Sequence, residues 1–107
     1  MTTIEEEIQS KGLTAPRITP TDVENAIAGE YVGRASDIFS GTPVLPSMEC
    51  LTICVLVLKN GFTVVGKSAC ASPANFDAAL GARIARDDAK AQIWPLMGYA
   101  LRDKLAG

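Results

Sequence analysis

Two apolar runs that meet at Asn60-Gly61 leave this chain few folds to choose from. Leu51-Thr52-Ile53-Cys54-Val55-Leu56-Val57-Leu58 is dominated by branched apolar side chains, and Phe62-Thr63-Val64-Val65-Gly66 follows after Lys59-Asn60-Gly61. Branched side chains fit a pleated surface. Asn-Gly between two such runs signals a type I′ hairpin, because both central residues need positive φ. A two-residue turn pairs Lys59 with Phe62, Val57 with Val64 and Val55 with Gly66. One face of that ribbon carries Ile53, Val55, Val57, Phe62 and Val64. The other carries Cys54, Leu56, Leu58 and Val65. Both faces are apolar, so both need cover. Two strands alone are marginal. A third is expected from residues 44–49, from near Tyr31, or from a second copy of the chain. Helices of one small chain cover one face, so a homo-oligomer is expected, closed symmetric assembly being the usual way such surface is buried.

Helical signals flank the ribbon. Ile4 and Ile8 stand four residues apart in residues 3–11, and Glu5, Glu6 and Glu7 suit the positive end of a helix dipole. Gly12 is a C-terminal stop. A stripe this thin must dock or fray. Residues 14–20, with Pro16 and Pro20, read as a linker. Thr21-Asp22-Val23-Glu24 matches a capping box, with Val23, Ile27 and Tyr31 following along one face. Gly29 and Gly33 weaken that helix, and residues 33–47 read as a loop. In the tail, Ser72-Pro73 reads as an N-cap with a first-turn proline. Phe76, Leu80, Ile84, Ala91, Trp94, Gly98, Leu101 and Leu105 then recur at helical spacing, with one gap near Asp87-Asp88. Pro95 predicts a kink or break near Trp94.

The fold class expected is α+β. An antiparallel hairpin or small sheet packs with two C-terminal helices, or one kinked helix, plus short N-terminal helices. At 107 residues the chain is one domain. Residues 1–49 form variable helices and a loop, and residues 50–107 the hairpin with its C-terminal helices.

Several functions are excluded by what the chain lacks. It has no histidine, which removes the commonest general base, the usual zinc ligands and any Ser/His or Cys/His pair. No catalytic residue, metal or cofactor is expected. The longest uncharged apolar run is nine residues, from Cys50 to Leu58, where a membrane helix needs about twenty. The acidic start, Met1 to Gln9, does not read as a signal peptide. Cys50, Cys54 and Cys70 are odd in number and lack a CxxC pair, so they read as small buried apolar groups in a reducing cytoplasm. Residues 1–49 hold eight acids and three bases, a net of −5, and residues 50–107 four acids and seven bases, a net of +3. That basic half attracts phosphate but is too weak for duplex nucleic acid.

The candidate ligand-binding residues are Phe62, Asn75, Phe76, Arg83, Arg86 and Lys90. The three cations are spaced three and four residues apart and make a positive helix edge; arginine offers a planar fork for phosphate and stacks on rings. The same spacing equally suits a solvated face. Phe62 is the aromatic at the hairpin tip. Asn75 sits near a helix start, where its amide can read a base or satisfy free backbone groups. Asp87 and Asp88 point about 100° apart on a helix and read as surface acids paired with Arg83 and Lys90. No phosphate loop is present, so nucleotide hydrolysis has little support.

Four ordered blocks then carry a resemblance. They are Cys54 to Phe62, Gly66-Lys67-Ser68-Ala69-Cys70, Ser72-Pro73-Ala74-Asn75-Phe76-Asp77 and Ile93-Trp94-Pro95-Leu96-Met97-Gly98-Tyr99. Together they resemble the phage gene-49/gene-66-like family, strongly over residues 50–107, while residues 4–31 look like its more variable front. Lys67 departs from the acidic residue often found there. That family is similar to the first class of Thoeris anti-defence proteins. These are phage-encoded sponges that bind cyclic ADP-ribose isomers made by bacterial immune enzymes, and some also bind cyclic oligonucleotides. They hold the ligand uncleaved, as hexamers with pockets between subunits. The resemblance implies a non-enzymatic dimer or hexamer, with phosphates at Arg83, Arg86 or Lys90, adenine on Phe62 or Phe76, and Asn75 hydrogen-bonding the base. The rival reading is a protein-interaction module that blocks a host protein.

Overall fold

In the computed structural model, which describes residues 3–13 and 15–107, the hairpin loop is one residue longer than expected. (Met1 and Thr2 of the acidic start, and Thr14 of the linker, lie outside those residues.) Leu58 N–H donates to the Phe62 carbonyl and Gly61 N–H to the Leu58 carbonyl, each at 2.8 Å. Lys59, Asn60 and Gly61 therefore form the loop, and only Gly61 takes a positive φ, at +90°. This is the three-residue hairpin, in which one left-handed glycine closes the turn. Asn60 contributes through its side chain, whose Oδ1 accepts from Phe62 N–H at 2.9 Å.

The longer loop shifts the register. Strand β2 (Leu51–Leu58) pairs antiparallel with β3 (Thr63–Ala69), with Leu56 opposite Val64 and Val55 opposite Val65. The expected pairing of Val57 with Val64 is off by one. Because side chains alternate, a one-residue slip exchanges the faces of a strand. Val64 therefore joins Cys54, Leu56 and Leu58 in the core. Val65 moves to the other face with Ile53, Val55 and Val57.

The third strand comes from the chain itself, near Tyr31. Strand β1 (Ile27–Arg34) pairs antiparallel with β2, with Tyr31 opposite Val55 and Arg34 opposite Thr52, giving the order β1-β2-β3. The helix expected to run through Ile27 to Tyr31 stops much earlier. Helix α2 spans Pro20–Asn25. Gly29 and Gly33 are poor helix formers, and Ile27, Tyr31 and Val32 gain a strand partner in β2. The cap also moves. Thr19, not Thr21, accepts from Asp22 N–H at 3.1 Å, and the Asp22 carboxylate accepts from Thr19 N–H at 2.9 Å. Residues 33–47 hold a short helix, α3 (Ala35–Ile38), and a 3₁₀ turn at Pro46–Cys50 leads into β2.

Helix α4 (Ala78–Ala91) covers one face of the sheet. Ala85 and Ala89 lie fully buried over Gly66, with Val23, Leu56 and Ile93 around them. Small residues on both sides bring helix and strand backbones into contact. The Ser72-Pro73 start produces only a 3₁₀ turn, Pro73–Asn75, and α4 is capped by Asp77, whose Oδ1 accepts from Leu80 N–H at 3.0 Å. The break in the tail falls at Gln92. Helix α5 (Ile93–Ala106) then begins, and Pro95 occupies its first turn, where a missing N–H costs little.

Past Ile93, α5 keeps Met97 against the core but buries no further residue fully. Trp94, Leu96, Tyr99 and Leu105 are exposed along α5, and the sheet face opposite α4 leaves Tyr31 and Val65 exposed. Helix α1 (Ile4–Ser10) buries no residue and is tied back by Arg17, whose fork donates to both Glu5 oxygens at 2.8 and 2.7 Å. The molecule measures 52 × 35 × 17 Å with a radius of gyration of 17.3 Å. A compact chain of this length has about 13 Å.

Candidate functional site

The end of β1 and the turn before α4 build the most developed site. Register with Thr52 brings Arg34 to the sheet end, and the 3₁₀ turn at Pro73–Asn75 presents Phe76 beneath it. The Arg34 guanidinium lies 3.8 Å from the centroid of the Phe76 ring, a cation–π stack. Arg34 Nε donates to the Glu49 carbonyl at 2.6 Å, which orients the fork. Among the described residues Arg34 forms no ion pair.

Phe76 and Thr52 separate two hollows. On one side a cleft of about 110 Å³ is lined by Asn75, Ser68, Leu80, Gly81, Cys50 and Cys70. On the other an open groove of about 440 Å³ runs past Val32, Gly33, Arg34, Asp37 and Ala82. Gly81 lets α4 approach β2 closely beside this cleft, because a Cβ there would stand 2.8 Å from Thr52 Oγ1. Asp77 lines the cleft and Asp37 the groove.

The other candidates lie elsewhere in the single chain. Arg86 and Lys90 tie α4 to α2 and β1. Arg86 Nη2 and Nη1 donate to Glu24 at 3.1 and 3.3 Å, Arg86 Nε donates to Glu30, and Lys90 Nζ lies 2.7 Å from Glu24. The Arg86 hydrogen bonds first, then Lys90, hold the Glu24 carboxyl down at about 2, and the same carboxylates push Arg86 above its usual value. Arg83 is exposed on α4 and belongs to none of the ion pairs among the described residues. The expected helix pairs of Asp87 with Arg83 and Lys90 are not among them; Lys90 pairs with Glu24. The Asp88 carboxylate accepts from Lys67 N–H at 2.9 Å and so ties β3 to α4. Phe62 is exposed at the hairpin tip, beside a groove of about 450 Å³ that includes Leu96, Met97 and Ala100.

Of the six candidates, only Asn75 and Phe76 share one cleft. Arg34, Thr52 and Ser68 are additions to the site. Their signal was the strand near Tyr31: once it pairs with β2, Arg34 falls at the sheet end beside Phe76. Among the described residues no group of three or more Asp, Glu, Cys or His is placed to hold a metal, and no helix is long and apolar enough to cross a membrane.

The model of the Phage protein (N4 Gp49/phage Sf6 gene 66) family matches residues 18–105. The chain belongs to this family. The match takes in the sheet, α4 and both hollows beside Phe76, and leaves α1 outside. No curated protein and no solved structure gives a significant match.

Proposed function

We propose that this phage-family protein is an anti-defence sponge. It binds a cyclic nucleotide immune signal, a cyclic ADP-ribose isomer or a cyclic oligonucleotide, in the host cytoplasm and holds it uncleaved. The observation that carries the reading is the pair of hollows that Phe76 divides, with Asn75 in the cleft on one side and Arg34 stacked on the ring in the groove on the other. An aromatic face stacks a base, a carboxamide reads its edge, and a guanidinium takes a phosphate. Retention without turnover needs no base, nucleophile or metal. Sequestration then works by mass action, so affinity and copy number replace catalysis.

The reading includes a homo-oligomer, a dimer or hexamer. Ligand pockets have about 300–1,000 Å³, so the cleft of about 110 Å³ needs a second wall. The chain exposes 7485 Å², where a compact monomer of 11.3 kDa exposes about 5,700 Å². A neighbouring copy that covers the difference supplies Arg83 or Phe62 to the cleft. Arg86 and Lys90 contribute by exchanging Glu24 for phosphate.

A second reading has its own observation. Trp94, Leu96, Tyr99 and Leu105 are exposed around α5, apolar surface suited to a foreign protein as well as to a second copy. Titration calorimetry separates the two. The sponge predicts heat with glycocyclic ADP-ribose or a cyclic trinucleotide, with affinity weakened in Phe76→Ala. No heat with any cyclic nucleotide, together with a host protein recovered in a stoichiometric complex, overturns it in favour of the module.

A further inference from the structure

The β2–β3 ladder continues by one pair beyond Leu51 and Ala69. Cys70 N–H donates to the Cys50 carbonyl at 3.0 Å, so the two cysteines face each other across the sheet end. They lie on the same side as Thr52 and Ser68, and both line the cleft beside Phe76. Facing residues on antiparallel strands hold their Cβ atoms about 4.5–5.5 Å apart. A hydrogen-bonded pair such as this one lies at the wide end of that range, and a disulfide spans about 3.5–4.5 Å between Cβ atoms, so the strand ends close by about 1–2 Å to join the pair. Cys54 is excluded from it, because Cys54 sits opposite Gly66 in the core under α4.

The two thiols differ in access. Cys50 is buried, and burial followed by its hydrogen bond with Cys70 pushes its thiol up. Cys70 is half-buried, opens on the cleft, and donates its S–H to the Ser72 carbonyl at 3.4 Å. Thiol exchange begins at the reachable sulfur and is resolved by its neighbour.

We propose that Cys50 and Cys70 form a dithiol site that a low-molecular-weight disulfide such as oxidised glutathione converts reversibly to a cross-strand disulfide. Cys70, as thiolate, attacks one sulfur of glutathione disulfide. The glutathione S–S bond breaks, and one glutathione leaves as a thiolate that takes up a proton. Cys50 gives its proton to water and attacks the Cys70 sulfur. The mixed S–S bond breaks, and the second glutathione leaves and is protonated. Two protein thiols are oxidised, and one glutathione disulfide is reduced to two thiols. The new bond links the start of β2 to the turn that carries Asn75 and Phe76, so it fixes one wall of the cleft.

The folded protein is incubated with oxidised glutathione, quenched in acid, denatured, alkylated and weighed by intact mass spectrometry. The dithiol site predicts a chain lighter by two hydrogens that takes one alkyl group, where the reduced chain takes three. Cys54→Ala takes none after oxidation, and dithiothreitol restores every thiol. Cys50→Ser, a near-isosteric change, stops at a glutathione adduct on Cys70. A wild-type chain that still takes three alkyl groups, keeps a glutathione adduct, or links to a second chain overturns the proposal. So does a Cys54→Ala chain that takes two after oxidation.

Discussion

Replacing Gly66 with alanine loads the contact that positions α4, and with it the cleft wall at Leu80 and Gly81. A Cβ built on Gly66 stands 2.9 Å from Ala89 Cα, and closer still to the Ala85 carbonyl oxygen and the Ala89 nitrogen. Ordinary Cβ contacts begin near 3.4 Å. The atoms in the way are helix backbone, so no rotamer change relieves them. The closest of these contacts sets the requirement, so helix α4 must lift by about an ångström, loosening its packing from Ala85 to Ile93. Overpacking of a tight core costs about 1–3 kcal/mol, and a backbone clash belongs at the upper end. The restriction that alanine places on the unfolded chain returns about 0.4–1 kcal/mol. In a domain near this size each kcal/mol moves Tm by about 4–8 °C. Gly66→Ala is therefore expected to lower Tm by about 5–20 °C in thermal melts followed by far-ultraviolet circular dichroism. A Tm within about 2 °C of the parent refutes the packing described.

Other consequences follow from the same structure. Gly61→Ala places a side chain at φ +90° and is expected to cost about 1–2 kcal/mol in urea unfolding; no loss means that the loop re-forms with another register. Glu24 carries a folded pKa of about 2 against an ordinary 4.5. A lowered carboxyl pKa stabilises the fold above the unfolded value, and that stabilisation disappears as pH falls from about 4.5 toward 2. Glu24 is partly exposed, so solvent limits its ion pairs to about 0–1 kcal/mol each. The acid-induced loss in urea midpoint should shrink in Glu24→Gln, and equal acid sensitivity in both proteins would exclude the network as its source. Phe76→Ala should weaken cyclic nucleotide binding by about 1–3 kcal/mol, read by calorimetry, and Arg34→Ala should weaken it less while leaving Tm near the parent value. Unchanged affinity in both removes this cleft from the binding site.

How much of this was legible in the sequence differs from element to element. The hairpin was plain, because eight consecutive strand formers and an Asn-Gly step admit little else. Its register was not. Asn60-Gly61 serves a two-residue turn with both residues left-handed or a three-residue turn with glycine alone, and only pairing along the whole ladder decides between them. That one-residue choice moved Val64 into the core and Val65 out of it. Strand β1 was hidden by a helical pattern: Val23, Ile27 and Tyr31 recur every four residues, yet only Val23 stays in α2. The edge of β2 overrides the local preference. Asn75 was read from its place near a helix start and Phe76 as the first ring of the helical pattern; α4 begins only at Ala78, yet the two do share a cleft. Arg34 was missed because the region near Tyr31 was one of three sources for a third strand, and without its register against β2 nothing places Arg34 beside Phe76. Arg86 and Lys90 were spaced for phosphate, but spacing along α4 carries no information about Glu24 and Glu30, which approach from α2 and β1.

The fate of the bound ligand is the sharpest test of a sponge. Purified protein is loaded with a cyclic ADP-ribose isomer or a cyclic trinucleotide, freed of unbound ligand by gel filtration, denatured by heat, and the released nucleotide is identified by liquid chromatography with mass spectrometry. Sequestration predicts that the nucleotide co-elutes with the protein and is recovered intact. A linear or hydrolysed product, or no nucleotide retained with the protein at any loading, contradicts it.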